Sequence, residues 1–322
     1  MQRLVPPFLA WPLLLACATA TSGPPVSDGA PPPAPPPRGP SPSPRGPGSA
    51  QLEKAKKLAR ANDVDGAIAA TRAAIAEGGG LETAHLLLAS LCGIKQDNAC
   101  VAQALEGGLA ELPQSTELLH ARGMYFLESG EVPPAIADLE RAQELTTGKD
   151  PDIAADLAYA YVFVGRIDEA ELLAAAARRA APRSFAAAYA HGEALIRKDR
   201  AKDALEAYQA ALAIEPGNAL AKRRVALALS KQGEDAKALA IYVELIKSGE
   251  DQDPGLHAAS AGALIKLGRA DEAVKAMRAA VQLAPKERKY LELLLRAEEA
   301  AGDKKGAKST KAKLDSLGGA PR

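Results

Sequence analysis

The sequence predicts an all-α solenoid of about eight helix–turn–helix units, on the strength of one period and one compositional bias. Small or β-branched residues recur every 34 or 35 positions, at Ala67, Val101, Ala135, Ala170, Ala204, Ala238, Ala273 and Ala307. A second series keeps the same phase, at Ala55, Ala89, Gly123, Ala158, Gly192, Ala226 and Ala261. Apolar residues make up 47% of the chain but aromatic residues only 4%. Such a composition favours closely packed alanine-rich and leucine-rich helices.

The segment 185–218 shows what one unit contains. Two short amphipathic stretches flank a polar turn at 198–200, and Pro216 closes the second stretch. Gly192 and Ala204 are small enough for the two helices to approach closely. Proline ends a helix because it lacks the amide hydrogen and clashes with the preceding turn. Each unit is therefore expected to be a helical hairpin.

These positions resemble the tetratricopeptide repeat, and the resemblance covers residues 48–322, with repeats starting near 48, 82, 116, 151, 185, 219, 254 and 288. It implies a right-handed α-solenoid with a concave groove for a protein or peptide ligand. The tryptophan common at the fourth place of the family is missing; Ala188 stands there in the fifth unit. Two steps are one residue longer, at 148–151 and 249–254. They are either hinges between groups of repeats or simply longer loops.

Residues 1–16 are predicted to be an export signal, with Arg3 followed by an apolar run from Leu4 to Leu15. That run is shorter than the roughly 20 residues of a spanning helix. The residues that end in Cys17, Leu-Leu-Ala-Cys, resemble the bacterial lipobox. The resemblance implies that Cys17 becomes the lipidated N-terminus, carrying fatty acyl chains such as palmitate. Ala18 after this cysteine points to the periplasmic face of the outer membrane.

An ordinary cleavage site at 18–20 is the alternative, and it would release a soluble periplasmic or secreted protein. Residues 17–47 contain a run of prolines between 31 and 37 and further prolines to 47, with few apolar residues. This composition is typical of a disordered tether that extends as polyproline II, at about 3.1 Å per residue.

Charge and motifs exclude several classes of function. The chain has 40 basic and 40 acidic residues, so its formal net charge is zero and nucleic-acid binding is not expected. It contains no HExxH, GxSxG or glycine-rich phosphate loop, and its four histidines lie in different repeats. The sequence therefore predicts no enzyme, no cofactor, no metal site and no small-molecule substrate.

Cys92 and Cys100 flank the polar turn of the second repeat. In an oxidising compartment they could form a disulfide, because the turn brings the two helix ends together. Alternatively they are two small apolar residues of the helix packing. Their spacing does not favour a zinc site.

The residues predicted to bind a partner follow from the resemblance and the helical period. Places 2, 5, 9 and 12 of each first helix form one stripe, which faces the groove in the family. The stripe offers six candidate residues: His120, Met124, Tyr159, Tyr189, Glu193 and Arg223. The sequence thus predicts a lipid-anchored, non-enzymatic scaffold. Its resemblance to lipoproteins with such repeats implies a role as an assembly factor or pilotin for envelope machinery. The alternative is a structural spacer between membrane and cell wall without a specific peptide ligand.

Overall fold

A computed structural model describes residues 47–318 of the chain. The predicted export signal, Cys17 and the proline-rich segment up to residue 46 lie outside these residues. Within the described range the regular structure is helical, without strands. The helices come in consecutive pairs joined by short turns, which confirms the predicted fold class of about eight helix–turn–helix repeats. None of the helices described is both long enough and apolar enough to cross a bilayer.

The chain divides into two compact units, with the boundary between Lys149 and Asp150. The first unit contains three helix pairs. They are α1 (Pro47–Arg60), α2 (Val64–Ala76), α3 (Leu81–Ile94), α4 (Asn98–Glu111), α5 (Thr116–Ser129) and α6 (Val132–Leu145). The boundary falls in one of the two longer loops noted in the sequence, at 148–151.

The second unit contains five helix pairs. They are α7 (Pro151–Val164), α8 (Ile167–Ala180), α9 (Phe185–Arg197), α10 (Ala201–Ile214), α11 (Ala219–Lys231), α12 (Asp235–Leu245), α13 (Pro254–Lys266), α14 (Ala270–Leu283), α15 (Arg288–Ala300) and α16 (Lys304–Ser316). The other longer loop lies inside this unit. There α12 runs into a π-helical turn, Ile246–Glu250, in which Gly249 has φ 111°. Only glycine adopts that conformation at little cost.

The helices start and stop where the side chains supply caps. Ser184 accepts a hydrogen bond from the amide of Ala187, and Asn218 does the same for Ala221. These caps satisfy amide hydrogens that have no partner inside the helix. At the other end, Gly130 and Gly165 close α5 and α7 with φ 81° in each case. The left-handed conformation is the usual end of a helix that stops at glycine.

The small residues of the repeat are the points where the two helices of a pair meet. The alanines at place 20 are fully buried in six repeats: Ala67, Ala135, Ala170, Ala204, Ala238 and Ala273. In the second repeat Val101 takes this place and is 8% exposed. A Cβ on Gly123 would lie 2.8 Å from Leu139 Cγ, so glycine is required for that close approach. The core of each unit is therefore a line of small contacts between neighbouring helices.

Ion pairs on the surface connect successive repeats within each unit. In each case a lysine near the end of a first helix pairs with an aspartate about one repeat earlier in the chain. The pairs are Lys95–Asp65, Lys198–Asp168 at 2.8 Å, Lys231–Asp199 at 2.8 Å and Lys266–Asp235 at 3.2 Å. Exposed ion pairs contribute little to stability, and less at high salt. Asp235 of the last pair is different, because it is only 8% exposed.

Candidate partner-binding surface

Aromatic residues are concentrated on the first helices of two adjacent repeats in the second unit. On α7, Tyr159 contacts Phe163 one turn later, with ring centroids 5.0 Å apart and nearly perpendicular planes. On α9, Phe185 stacks on Tyr189 with centroids 5.7 Å apart. The two pairs join through Tyr159 and Tyr189, whose centroids are 5.9 Å apart. Side chains four residues apart face the same side of a helix, so each helix contributes one aromatic pair.

This aromatic cluster of Tyr159, Phe163, Phe185 and Tyr189 is only partly covered by the protein. Phe163 is 37% exposed, and Tyr159 and Phe185 are partly buried. Tyr189 is only 6% exposed. The accessible part of the cluster is therefore formed by Phe163, Tyr159 and Phe185, and Tyr189 supports them from below.

Glu193 was predicted as a groove residue, and the structure places its carboxylate in a buried network. The side chain is 7% exposed and its Oε1 lies 2.5 Å from Nε of Arg224. The hydroxyl of Tyr208 donates a hydrogen bond to the same oxygen at 2.9 Å. Arg224 also donates to the hydroxyl of Tyr189 at 3.0 Å. These contacts link α9, α10 and α11 of consecutive repeats, and little of the carboxylate is left for a partner.

The electrostatics of the network follow from its burial. Burial raises the pKa of the Tyr159 phenol to about 12, and the nearby Glu193 carboxylate adds to the shift. Burial and Glu193 likewise raise the pKa of Tyr189 and of Tyr208. For Arg224, burial opposes the charged form, but Glu193 and the tyrosines outweigh it and raise its pKa. Arg224 and Glu193 form a charged pair that connects two consecutive repeats.

Tyr208 can occupy its position because glycine lies opposite. A Cβ on Gly192 would be 2.5 Å from Cε1 of Tyr208, and Tyr208 is 0% exposed. The repeat period identified Gly192 as a packing position but not the tyrosine that fills the space. The signal in the sequence was a bulky residue four places after Ala204, where one turn of α10 returns to the same face.

Arg223, another predicted groove residue, is paired within the unit. Its Nη2 lies 2.5 Å from Oδ2 of Asp253. Asp253 also caps α13, since its other oxygen accepts a hydrogen bond from the amide of Gly255 at 2.7 Å. Nε of Arg223 is buried and has no hydrogen-bond partner among the described residues. A partner that bound Arg223 would therefore compete with Asp253.

The two remaining groove candidates lie in the first unit. His120 and Met124 are partly buried on α5. Between them Arg122 forms a two-point ion pair with Asp138, at 2.7 and 2.8 Å, and this hydrogen bonding raises the pKa of Arg122. The sequence reasoning did not single out this pair. The role of all six candidate residues in partner binding stays a prediction.

The remaining candidate sites are the cysteine pair of the second repeat and the histidines. The structure joins Cys92 and Cys100 in a disulfide with Cα atoms 5.7 Å apart, and both residues are buried. His191 lies 3.4 Å from Nη1 of Arg178, and burial together with this arginine lowers the pKa of His191. His257 bonds the carbonyl of Asp251. Across residues 47–318, no group of three or more His, Cys, Asp or Glu side chains is arranged to hold a metal ion.

Comparison with protein families identifies the repeats. Residues 155–219, 189–256 and 256–287 match family models described as tetratricopeptide repeat. This part of the chain, less than half of its length, is therefore similar to tetratricopeptide repeats, a family that provides scaffolds for protein interaction. A search of curated proteins found no match.

Solved structures with the same fold are distant in sequence. A tetratricopeptide repeat protein from Parabacteroides merdae aligns with a TM-score of 0.59 at 14% identity, over 78% of this chain and 98% of its own. PilW, a widely conserved type IV pilus biogenesis factor, aligns with a TM-score of 0.57 at 19% identity, over 63% of this chain and 93% of its own. PilF of Pseudomonas aeruginosa aligns with a TM-score of 0.53 at 18% identity, over 63% of this chain and 91% of its own. At these identities the likeness concerns the fold alone.

Proposed function

We propose that this chain is a non-enzymatic scaffold that holds a protein or peptide partner against the aromatic cluster of its second unit. The observation that carries the proposal is the partial exposure of Phe163, Tyr159 and Phe185 on adjacent repeats. Aromatic side chains bury a large area at an interface at low cost in conformational entropy, and they are frequent among residues that dominate binding energy. Buried Tyr189 and Glu193 hold the cluster in place instead of making the main contacts.

The test compares the cluster with another exposed apolar residue of the same repeat. A photo-crosslinking amino acid at Phe163 is expected to capture one defined partner in cells, whereas the same label at Leu172 of α8 is expected to capture none. Leu172 is the matched control because it is 72% exposed. Phe163→Ala with Tyr159→Ala should then abolish retention of that partner, and Leu172→Ala should not.

The melting temperature of each variant separates loss of binding from loss of folding. Retention by a folded Phe163→Ala/Tyr159→Ala double variant would overturn the proposal. Diffuse crosslinking from both positions would instead favour the structural spacer.

The proposal places the scaffold at a bacterial envelope membrane, anchored through a lipid on Cys17. Its support is the lipobox-like sequence that ends at Cys17 and the export signal before it. Stable anchoring needs more than one acyl chain, as a lipidated N-terminal cysteine would provide. Mass spectrometry of the mature N-terminus decides the matter. An acylated Cys17 supports the anchor, whereas a free Thr21 would show a soluble exported protein.

We extend the proposal to a role in assembling envelope machinery, since PilW shares the fold and is a type IV pilus biogenesis factor. The partner captured through Phe163 tests this extension directly. A component of a pilus or secretion complex supports it, and a partner unrelated to such complexes refutes it while leaving the scaffold function intact.

A further inference from the structure

The last helix of the second unit, α16, differs in charge from the other second helices of the repeats. It contains one acidic residue and five lysines. The lysines are Lys304, Lys305, Lys308, Lys311 and Lys313. In each of the other seven second helices, from α2 to α14, acidic residues equal or outnumber basic ones. Because the formal net charge of the chain is zero, α16 is a local concentration of positive charge.

Three of these lysines form a stripe on the side of α16 that faces solvent. Lys304, Lys308 and Lys311 are four and three residues apart, a spacing that places them on one face of a helix. All three are exposed. Thr310 and Leu314 lie on another side of the helix, where they are 3% and 6% exposed. These two residues pack α16 on its repeat, and the lysine stripe of 304, 308 and 311 stays outside.

The lysine stripe does not stabilise the helix to which it belongs. Lys304 is the first residue of α16, and a cation there is unfavourable because the positive end of the helix dipole lies at that end. Like charges three or four residues apart also repel each other. In α1, by contrast, Lys57 and Arg60 lie in the last turn, where the dipole favours cations. Helix stability therefore explains the basic residues of α1 but not those of α16.

The acidic side chains near the start of α16 already have partners. Asp303 accepts hydrogen bonds from the amide of Gly306 and from Nη2 of Arg278, each at 2.8 Å. The buried Glu298 carboxylate accepts from the hydroxyl of Thr310 at 2.7 Å and from the same arginine at 3.1 Å. Among the described residues, the three lysines of the stripe have no ion-pair partner. Their charges are therefore available to an anion outside the chain.

The chemistry of the lysine stripe suits an extended anionic surface. Lysine presents a hydrated point charge on a flexible stem, whereas arginine is favoured where a carboxylate is bound at two points. Ser309 and Ala312, the exposed residues beside the stripe, offer no aromatic or large apolar anchor of the kind that dominates protein interfaces. Anionic phospholipids present many negative headgroups in one plane, and each lysine near such a surface adds to the binding.

We propose that the lysine stripe of α16 binds the surface of a bilayer that contains anionic phospholipids. The contact is electrostatic and requires no insertion, since the apolar side of α16 stays packed on its repeat. The inference depends neither on a lipid at Cys17 nor on the aromatic cluster, so it can fail or hold independently of the proposed function.

The test uses the chain from Thr21 onward, which lacks the apolar run and Cys17 but contains all the described residues. Its sedimentation is measured with vesicles of phosphatidylcholine that contain about 30% phosphatidylglycerol, and vesicles of phosphatidylcholine alone are the lipid control. Binding is expected only to the anionic vesicles. It should be lost in about 1 M salt, where the Debye length falls to about 3 Å.

A triple variant assigns the binding to the lysine stripe. Lys304→Gln/Lys308→Gln/Lys311→Gln should weaken binding to the anionic vesicles about tenfold or more. Glutamine has nearly the helix propensity of lysine, and the three positions are exposed, so the variant should keep its fold. Circular dichroism and the melting temperature check that it does.

The matched control removes the same charge from exposed positions of another helix. Lys54→Gln/Lys57→Gln/Arg60→Gln in α1 should keep the binding within about twofold of the wild type. Equal sedimentation of the wild type with both kinds of vesicle, or an equal loss in both triple variants, would overturn the proposal. Binding to poly-glutamate but not to the anionic vesicles would also overturn it, and would indicate an acidic protein partner instead.

Discussion

Replacing Gly192 by alanine is expected to destabilise the second unit, although alanine is the better helix former. In a helix interior, replacing glycine by alanine raises the free energy of unfolding by about 0.5–1 kcal/mol when nothing occupies the space that the Cβ needs. At Gly192 the added Cβ would lie 2.5 Å from Cε1 of Tyr208, a ring that is 0% exposed and hydrogen-bonded to Glu193. Overpacking of a buried ring costs about 1–3 kcal/mol. The net result should be a loss of up to about 2 kcal/mol.

Gly262→Ala is the matched control. Gly262 lies in α13 of the same unit, with no heavy atom within 4 Å of the position that a Cβ would occupy. This variant should therefore stabilise the unit by about 0.5–1 kcal/mol. Urea unfolding of both variants, followed by circular dichroism, gives the two changes in the free energy of unfolding. If Gly192→Ala stabilises the unit as much as Gly262→Ala does, the close packing of Tyr208 on α9 is refuted.

Two further predictions concern other charges and bonds. Cys92 and Cys100 should resist alkylation until a reductant is added. The variant with serine at both positions should lose about 2 kcal/mol of unfolding free energy, at the low end of the usual range because the closed loop is short. Arg224→Met should lower the free energy of unfolding by about 2 kcal/mol, because it leaves the Glu193 carboxylate buried without its cation. An unchanged free energy in urea unfolding would show that the hydrogen bond from Tyr208 alone satisfies the carboxylate.

Much of the fold was readable from the sequence because it depends on local periodicity. The small residue at Ala204 and the glycine at Gly192 recur with the repeat, and both lie where two helices touch. Periodicity also put Tyr159 and Tyr189 on one stripe, and the structure brings their rings into contact.

The rest of the site depends on contacts between repeats, which no single helix reveals. The stripe predicted Glu193 as a groove residue because its place on α9 is right. Whether that place is open depends on Arg224, which comes 31 residues later and covers the carboxylate. Likewise, two loops were longer by the same single residue, but only the loop at 148–151 falls at the boundary between compact units. The other contains the π-helical turn at Gly249.

The ion pairs between successive repeats have a consequence for how such a chain can change in evolution. Each pair, such as Lys198–Asp168 and Lys231–Asp199, involves only the repeat that immediately precedes it. An in-frame duplication of residues 185–218 would not reproduce either pair at the new junction. Lys198 is the fourteenth residue of its unit and pairs with the eighteenth residue of the preceding unit, a place that holds Lys202 in the duplicated segment. Because each repeat contacts mainly its neighbours, the gain of one repeat would call for a compensating substitution at that junction alone.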